Sequence, residues 1–346
     1  MIANPEMYRP TDKEWAYHPM PEYPNSVQTW YHDVIFDNGY AAQIVLLWNG
    51  VMAMLALWVS DAEGNMIVKT PPFPDTMMAM YDPSTVTSST ETLDIKIGDN
   101  YLRQKSSRRE MRFRQGNAGV ELVFEALTQG FKEPPGGAYI GREILPTTPF
   151  FMTYFHFPQC RVTGNLIVDG KEIPVRGMGM CDHQYVNMYA DRSHWYHWYW
   201  GALSDLPGHA LVYWDGQFGE KLGFQRTKWL WVYKGEKLFH YSRNANIYIE
   251  PSDLVLYKET GAAYPRKLVF TIDENDVKGT LTHKIKHILA SPTTGMSTSL
   301  PDGDSTQQAM ADRIYFRFLS DVAVKLEVGG EKIVRETQSI HEILSR

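Results

Sequence analysis

The residues best suited to chemistry stand two apart in two short stretches: His183 and Tyr185 in "CDHQY", and Tyr213 and Asp215 in "HALVYWDGQ". On a β-strand successive side chains alternate faces, so each pair shares one face, while Asp182, Gln184 and Trp214 turn to the other. An imidazole, two phenols and a carboxyl brought into one cavity would suit general acid–base work. A competing reading stands beside each. A strand tyrosine is commonly half-buried packing, a histidine on an apolar face is commonly a satisfied core residue, and Asp215 before Gly216 reads as a turn dipeptide.

Other chemistries lack their signatures. His183, His194, His197 and His209 lie close in sequence, but on a strand His194 and His197 point oppositely, and no H-E-x-x-H helix or cysteine pair completes a ligand set. No metal is expected. There is no G-x-S-x-G elbow, P-loop or dinucleotide fingerprint, and "RGMGMCD" carries only G-x-G, the mark of a bulge or a close backbone approach. No cofactor is expected either.

The elements that must position these residues are strands. Among 346 residues there are 10 Trp, 20 Tyr and 15 Phe, a content that favours β-structure or a large apolar cavity. Two-residue turns recur at Asn49-Gly50, Asp169-Gly170, Lys234-Gly235 and Gly329-Gly330, and helical periodicity is scarce, which predicts an antiparallel all-β chain. Residues 41–60 imitate a membrane span, but Asn49-Gly50 at the centre makes them two buried strands joined by a type I′ turn. The Pro/Gly-rich stretch 132–149 could line a cavity, and 291–308 reads as a lid or a disordered loop. The length suits two domains, 1–191 and 192–346, divided near Ala190 to Ser193.

Composition also excludes partners. The formal charge is −6, without the basic footprint of a nucleic-acid binder, and the run "SSRREMRFR" with Arg108, Arg109, Arg112 and Arg114 reads as the solvated side of a strand. Cys160 and Cys181 are the two cysteines, too few for a disulfide framework. The N-terminus lacks a secretory signal, so cytoplasm is the expected location, with peripheral membrane contact left open.

At this point the residues resemble a family, the carotenoid 1,2-hydratases (hydroxyneurosporene synthases) and their AttH-type, lipocalin-like relatives. "CDHQY" resembles that family's Asp-His-acidic-Trp motif. "YHWYWGALSDLPGHALVYWDG" looks like its Trp-x-Trp-aromatic strand, turn and strand ending in Tyr-x-Asp, and "QTWYHDVIFDNGYAAQIVLL" is similar to its opening strand. The resemblance implies two lipocalin-like β-barrel or sandwich domains with a ligand cavity between or within them, an architecture shared by fungal Diels-Alderases and, as a suspected relative, kievitone hydratase. It carries the hydratase pattern onto His183, Tyr185, Tyr213 and Asp215. Tyr185 stands where the hydratases tend to have Trp, which puts carotenoid as the substrate in doubt.

The implied reaction protonates a trisubstituted alkene of an isoprenoid, prenylated or polyene substrate, passes through a tertiary cation and ends with water on that cation. Holding a proton on a carboxyl at pH 7, against an ordinary value near 3.9, costs about 4 kcal/mol, which burial among aromatic rings can largely supply. Asp215 is the expected acid. Tyr185, Trp198, Trp200 and, from the opening strand, Tyr31 are the expected cation-facing or substrate-binding rings, each worth roughly 0.5–2 kcal/mol, with plain packing as the competing role. His183 would orient or deprotonate the water, Tyr213 would hydrogen-bond acid or water, and Asp182 would face away into the framework. Three functions compete on this reading: a cofactor-free hydratase, a cyclase or pericyclase folding a polyene, and a carrier of a hydrophobic small molecule.

Overall fold

The computed structural model describes residues 4–23, 26–69, 76–133, 152–186, 195–219, 223–258, 261–290 and 314–345. Residues 291–308, nearly all of 132–149, His194 and the expected domain boundary lie outside the described residues. The chain divides into two units, Asn4–Ala190 and Asp191–Arg346. Each carries one antiparallel sheet, of eleven strands in the first and nine in the second. The all-β, lipocalin-like expectation holds.

Each sheet curls for a topological reason. The two edge strands of the first sheet, Met77–Tyr81 and Val86–Ser88, follow one another in sequence. So do those of the second, Lys237–Ser242 and Ile247–Leu256. A short connection between opposite edges brings the sheet round on itself and leaves one face looking inward. In the first unit that inner face gathers Trp15, Trp30, Ile44, Leu55, Phe124, Phe155 and Cys181 into a core. In the second it gathers Leu211, Tyr213, Phe270, Phe316 and Phe318.

The turn chemistry sets the registers. Asp169 and Gly170 have φ 50° and 76° and join the paired residues Val168 and Lys171, the two-residue hairpin expected. Gly329 and Gly330, at φ 56° and 83°, do the same between Val328 and Glu331. Two turns differ from expectation. Lys234 pairs with Lys237, so that turn is Gly235-Glu236, one residue later than read. Trp48 pairs with Ala53, so the connection runs over four residues, 49–52, with the Asn49 carboxamide oxygen accepting from the Val51 and Met52 amides. The local Asn side chain offered the backbone a wider turn than the dipeptide alone suggested. Residues 41–60 are nevertheless two buried strands, Ala41–Trp48 and Ala53–Ser60. Among the described residues no helix is long and apolar enough to cross a membrane.

Candidate functional site

In the first unit, strand Lys171–Val186 lies between Val27–Phe36 and Met152–Val168, pairing His183 with Trp30 on one side and Phe155 on the other. All three point into the core. The imidazole stacks on the Trp30 indole with centroids 4.4 Å apart and planes 5° from parallel, and on Phe155 at 5.8 Å. Its Nδ1 lies 3.0 Å from the Thr29 carbonyl oxygen. A carbonyl only accepts, so Nδ1 carries the proton and the neutral ring keeps its lone pair on Nε2. Burial, joined by the charges of His18 and Arg109, holds the ring well below the ordinary 6.5 despite the opposing bond to Thr29. Nε2 is buried with no hydrogen-bond partner among the described residues. Tyr185 shares this face, 5.8 Å from His183, and His18 stacks between them at 4.7 Å from Tyr185 and 5.9 Å from His183.

Tyr31 does not join them. It pairs opposite Asp182, so both side chains take the other face of the sheet, where the Gln43 amide donates to the Tyr31 hydroxyl at 2.6 Å. Asp182 faces away from His183, as strand alternation predicts.

In the second unit, Asp215 is a mid-strand residue of His209–Phe218, opposite Tyr199 and Lys228, and not part of a turn. Gly216 is there because a Cβ would stand 2.6 Å from the Trp214 indole, a steric need that imitates a turn signal. Asp215 and Tyr213 both face inward. The carboxyl is fully buried, and both of its oxygens accept from Arg226, Oδ1 from Nε and Oδ2 from Nη2, each at 2.6 Å. Lys228 Nζ stands 3.9 Å away. A bidentate guanidinium partners the deprotonated carboxyl, so an acid role requires Arg226 to leave first. The Arg226 side chain is 44% exposed and reaches solvent.

Deeper on the same face, Tyr213 packs 4.6 Å from Phe270 and 5.9 Å from His283. His283 meets His341 edge-on at 5.0 Å, and His341 Nε2 shares a hydrogen bond of 2.7 Å with Ser320 Oγ. Burial pushes the Tyr213 phenol up and pushes His341 down to about 3, and burial with the His341 charge holds His283 well below 6.5. Tyr199, pushed up by burial and then by the Asp215 charge, lines the space between carboxyl and Phe270. Trp198 and Trp200 do not share this space. Trp200 pairs with Trp214 on the opposite face, where Trp198 lies 5.8 Å from Trp214 and 5.6 Å from Tyr315.

The expected residues thus sort into His183 with Tyr185 inside the first unit, Tyr213 with Asp215 inside the second, and Tyr31, Trp198 and Trp200 on the reverse faces. Sequence reasoning missed Arg226, Tyr199, His283 and His341, because their approach depends on register between distant strands. The one local signal was spacing: Tyr199 shares parity with Gly201 and lies across the short hairpin from Asp215. Arg109 was also misread. It is 1% exposed and points into the first core, while Arg108, Arg112 and Arg114 pair with surface glutamates as a solvated side should. Among the described residues no group of three His, Cys, Asp or Glu could hold a metal ion.

Two curled antiparallel sheets, each enclosing polar groups within an aromatic core, define a lipocalin-like all-β protein. Solved structures of the same fold include an AttH-type protein from Nitrosomonas europaea, 14% identical over 99% of this chain and 98% of that one, at a TM-score of 0.65. Kievitone hydratase from Nectria haematococca is 14% identical over 97% and 93% at 0.59. CghA with Sch210972 is 12% identical over 93% and 89% at 0.60. At such identities the likeness is one of fold. No protein-family model and no curated protein matches the sequence.

Proposed function

We propose that the protein is a cofactor-free hydratase that adds water to a trisubstituted alkene of an isoprenoid, prenylated or polyene substrate. The observation that carries this reading is the inner face of the second sheet, where a fully buried carboxyl at Asp215 stands in line with Tyr199, Tyr213 and Phe270. The reading requires Arg226 to turn to solvent and Lys228, 3.9 Å away, to leave the carboxyl, so that Asp215 can carry the proton to be transferred. The proton passes to the less substituted alkene carbon, a tertiary cation forms, water adds to it, and the proton lost from that water restores the acid. Rings facing the cation lower its energy through their negative faces.

The Asp215–Arg226 pair favours one other reading. An enzyme that folds a polyene for cyclisation needs a fixed hydrogen-bonding or electrostatic anchor and no proton donor, and an ion pair supplies that. Incubation with prenylated and polyene compounds in heavy water separates the readings. Hydration places deuterium on carbon and a new hydroxyl in the product, cyclisation gives an isomer without deuterium, and a carrier returns the compound unchanged. Isomer or unchanged compound across the panel would overturn the hydratase reading.

A further inference from the structure

Arg109 raises a question that the hydratase reading does not use. Its guanidinium is buried in the first core, yet among the described residues no carboxylate pairs with it. Nε and Nη2 donate to Gln104 Oε1 at 2.9 and 2.7 Å, Nη1 donates to His32 Nε2 at 3.0 Å and leans on the Asp182 carbonyl at 3.5 Å, and the cation lies 4.8 Å from the Trp15 ring. A buried cation without a counter-charge is costly. Two thiols, Cys160 and Cys181, share this core. Cys181 pairs directly with His32 across the strands, and its sulfur lies 3.9 Å from that of Cys160 on the next strand, beside a bulge between Phe157 and Cys160.

We propose that Cys160 and Cys181 are a disulfide-forming pair, with Cys181 the attacking sulfur and Cys160 the resolving one. The two thiols are not equivalent. Burial raises both, but at Cys181 the hydrogen bond from Cys160 and the Arg109 charge outweigh it and hold the thiol down. Cys160 is pushed well up by burial and by the sulfur beside it. Nucleophilic attack needs a thiolate, which assigns the first step to Cys181. The oxidant is a small-molecule disulfide. The Cys181 thiolate attacks one of its sulfurs, forming a mixed disulfide and expelling one thiolate. Cys160 then loses its proton and attacks the Cys181 sulfur, expelling the second. Two protein thiols and one small disulfide become one protein disulfide and two small thiols. The 3.9 Å gap closes by moving side chains on neighbouring strands already fixed in register.

The test needs no substrate. The reduced full-length chain is incubated with oxidised glutathione, denatured in an alkylating reagent and weighed intact. Loss of two hydrogens, with no alkylation and no retained glutathione, is the expected result. Two alkylated cysteines, or two glutathione adducts on one chain, would overturn the pairing. In Cys160→Ser the mixed disulfide should accumulate on Cys181 at least tenfold faster than it does on Cys160 in Cys181→Ser. Equal rates would remove Arg109 from the assignment, and so would an Arg109→Gln protein that folds and oxidises as fast as the parent.

Discussion

In the first unit the buried cation, Arg109, meets an amide, an imidazole, a backbone carbonyl and an indole, whereas in the second the buried anion, Asp215, meets a guanidinium at 2.6 Å whose chain is 44% exposed. The two arrangements differ in what can be released. Neutral dipoles hold Arg109 in place and its field keeps His32 and His183 uncharged, after burial has done most of that. Arg226 has water as an alternative partner, so the charge on Asp215 can be uncovered. The hydratase reading therefore assigns proton donation to the second interior.

The strongest way to break this contrast is Asp215→Asn, which keeps the shape and removes the transferable proton. Under the hydratase reading kcat should fall by about 10²–10⁴. The protein should stay folded, because the abandoned Arg226 reaches solvent. Hydration that survives the change would remove Asp215 as the acid. His183→Asn comes next, since an amide can keep the bond to the Thr29 carbonyl while the Nε2 lone pair is lost. A base role predicts roughly a hundredfold fall in kcat with little change in KM, and a packing role predicts lost stability with kcat unchanged.

Both interiors should weaken on acidification. His18, His32, His156 and His183 are lowered in the first unit, His197, His240, His283 and His341 in the second, burial being the largest cause for each. Each has a folded value below the unfolded 6.5, so the unfolded chain takes the proton first. Stability is complete above that pH and is lost as pH falls toward the folded values, about 3 for His156 and His341. Each fully buried histidine contributes a slope of up to about 1.4 kcal/mol per pH unit, and the partly buried ones less, so both units should weaken as the pH falls. Hydrogen exchange between pH 6.5 and 5, before most carboxylates titrate, reads each unit separately. A unit whose protection does not fall over this range would contradict the burial of its histidines.

Arg226→Gln is a smaller effect whose sign matters. Removing the guanidinium frees both carboxyl oxygens from their bidentate partner. Hydration should then rise by up to about tenfold, whereas a cyclase that uses the ion pair as an anchor should slow by a similar factor.

How far the sequence reached is clear from particular residues. Period-two pairs and short turns were enough for an all-β chain and for the inward facing of His183 with Tyr185 and Tyr213 with Asp215, because alternation is a local property of a strand. The reverse placement of Trp198 and Trp200 relative to Asp215 follows from parity too, and becomes decisive once His209–Phe218 is known to run through the Asp215-Gly216 step. Arg109 and Arg226 were illegible for another reason. Whether an arginine is solvated or buried depends on which partners the sheet brings across, and a run of four arginines in eight residues hides the one that turns inward.

Two glycines allow the face assignment to be tested with the least disturbance. A Cβ at Gly201 would stand 2.5 Å from the Tyr213 hydroxyl and 2.8 Å from the His341 Cβ, both on the inner face. A Cβ at Gly216 would press instead on the Trp214 indole at 2.6 Å, on the tryptophan face. Gly201→Ala and Gly216→Ala should each cost about 1–3 kcal/mol, since neither neighbour can move without repacking. If the chemistry lies inside the sheet, only Gly201→Ala should lower kcat, because it shifts Tyr213 while Gly216→Ala disturbs Trp214, Trp198 and Trp200. An equal loss from both, at equal stability, would move the substrate to the tryptophan face and leave Asp215 with a structural role.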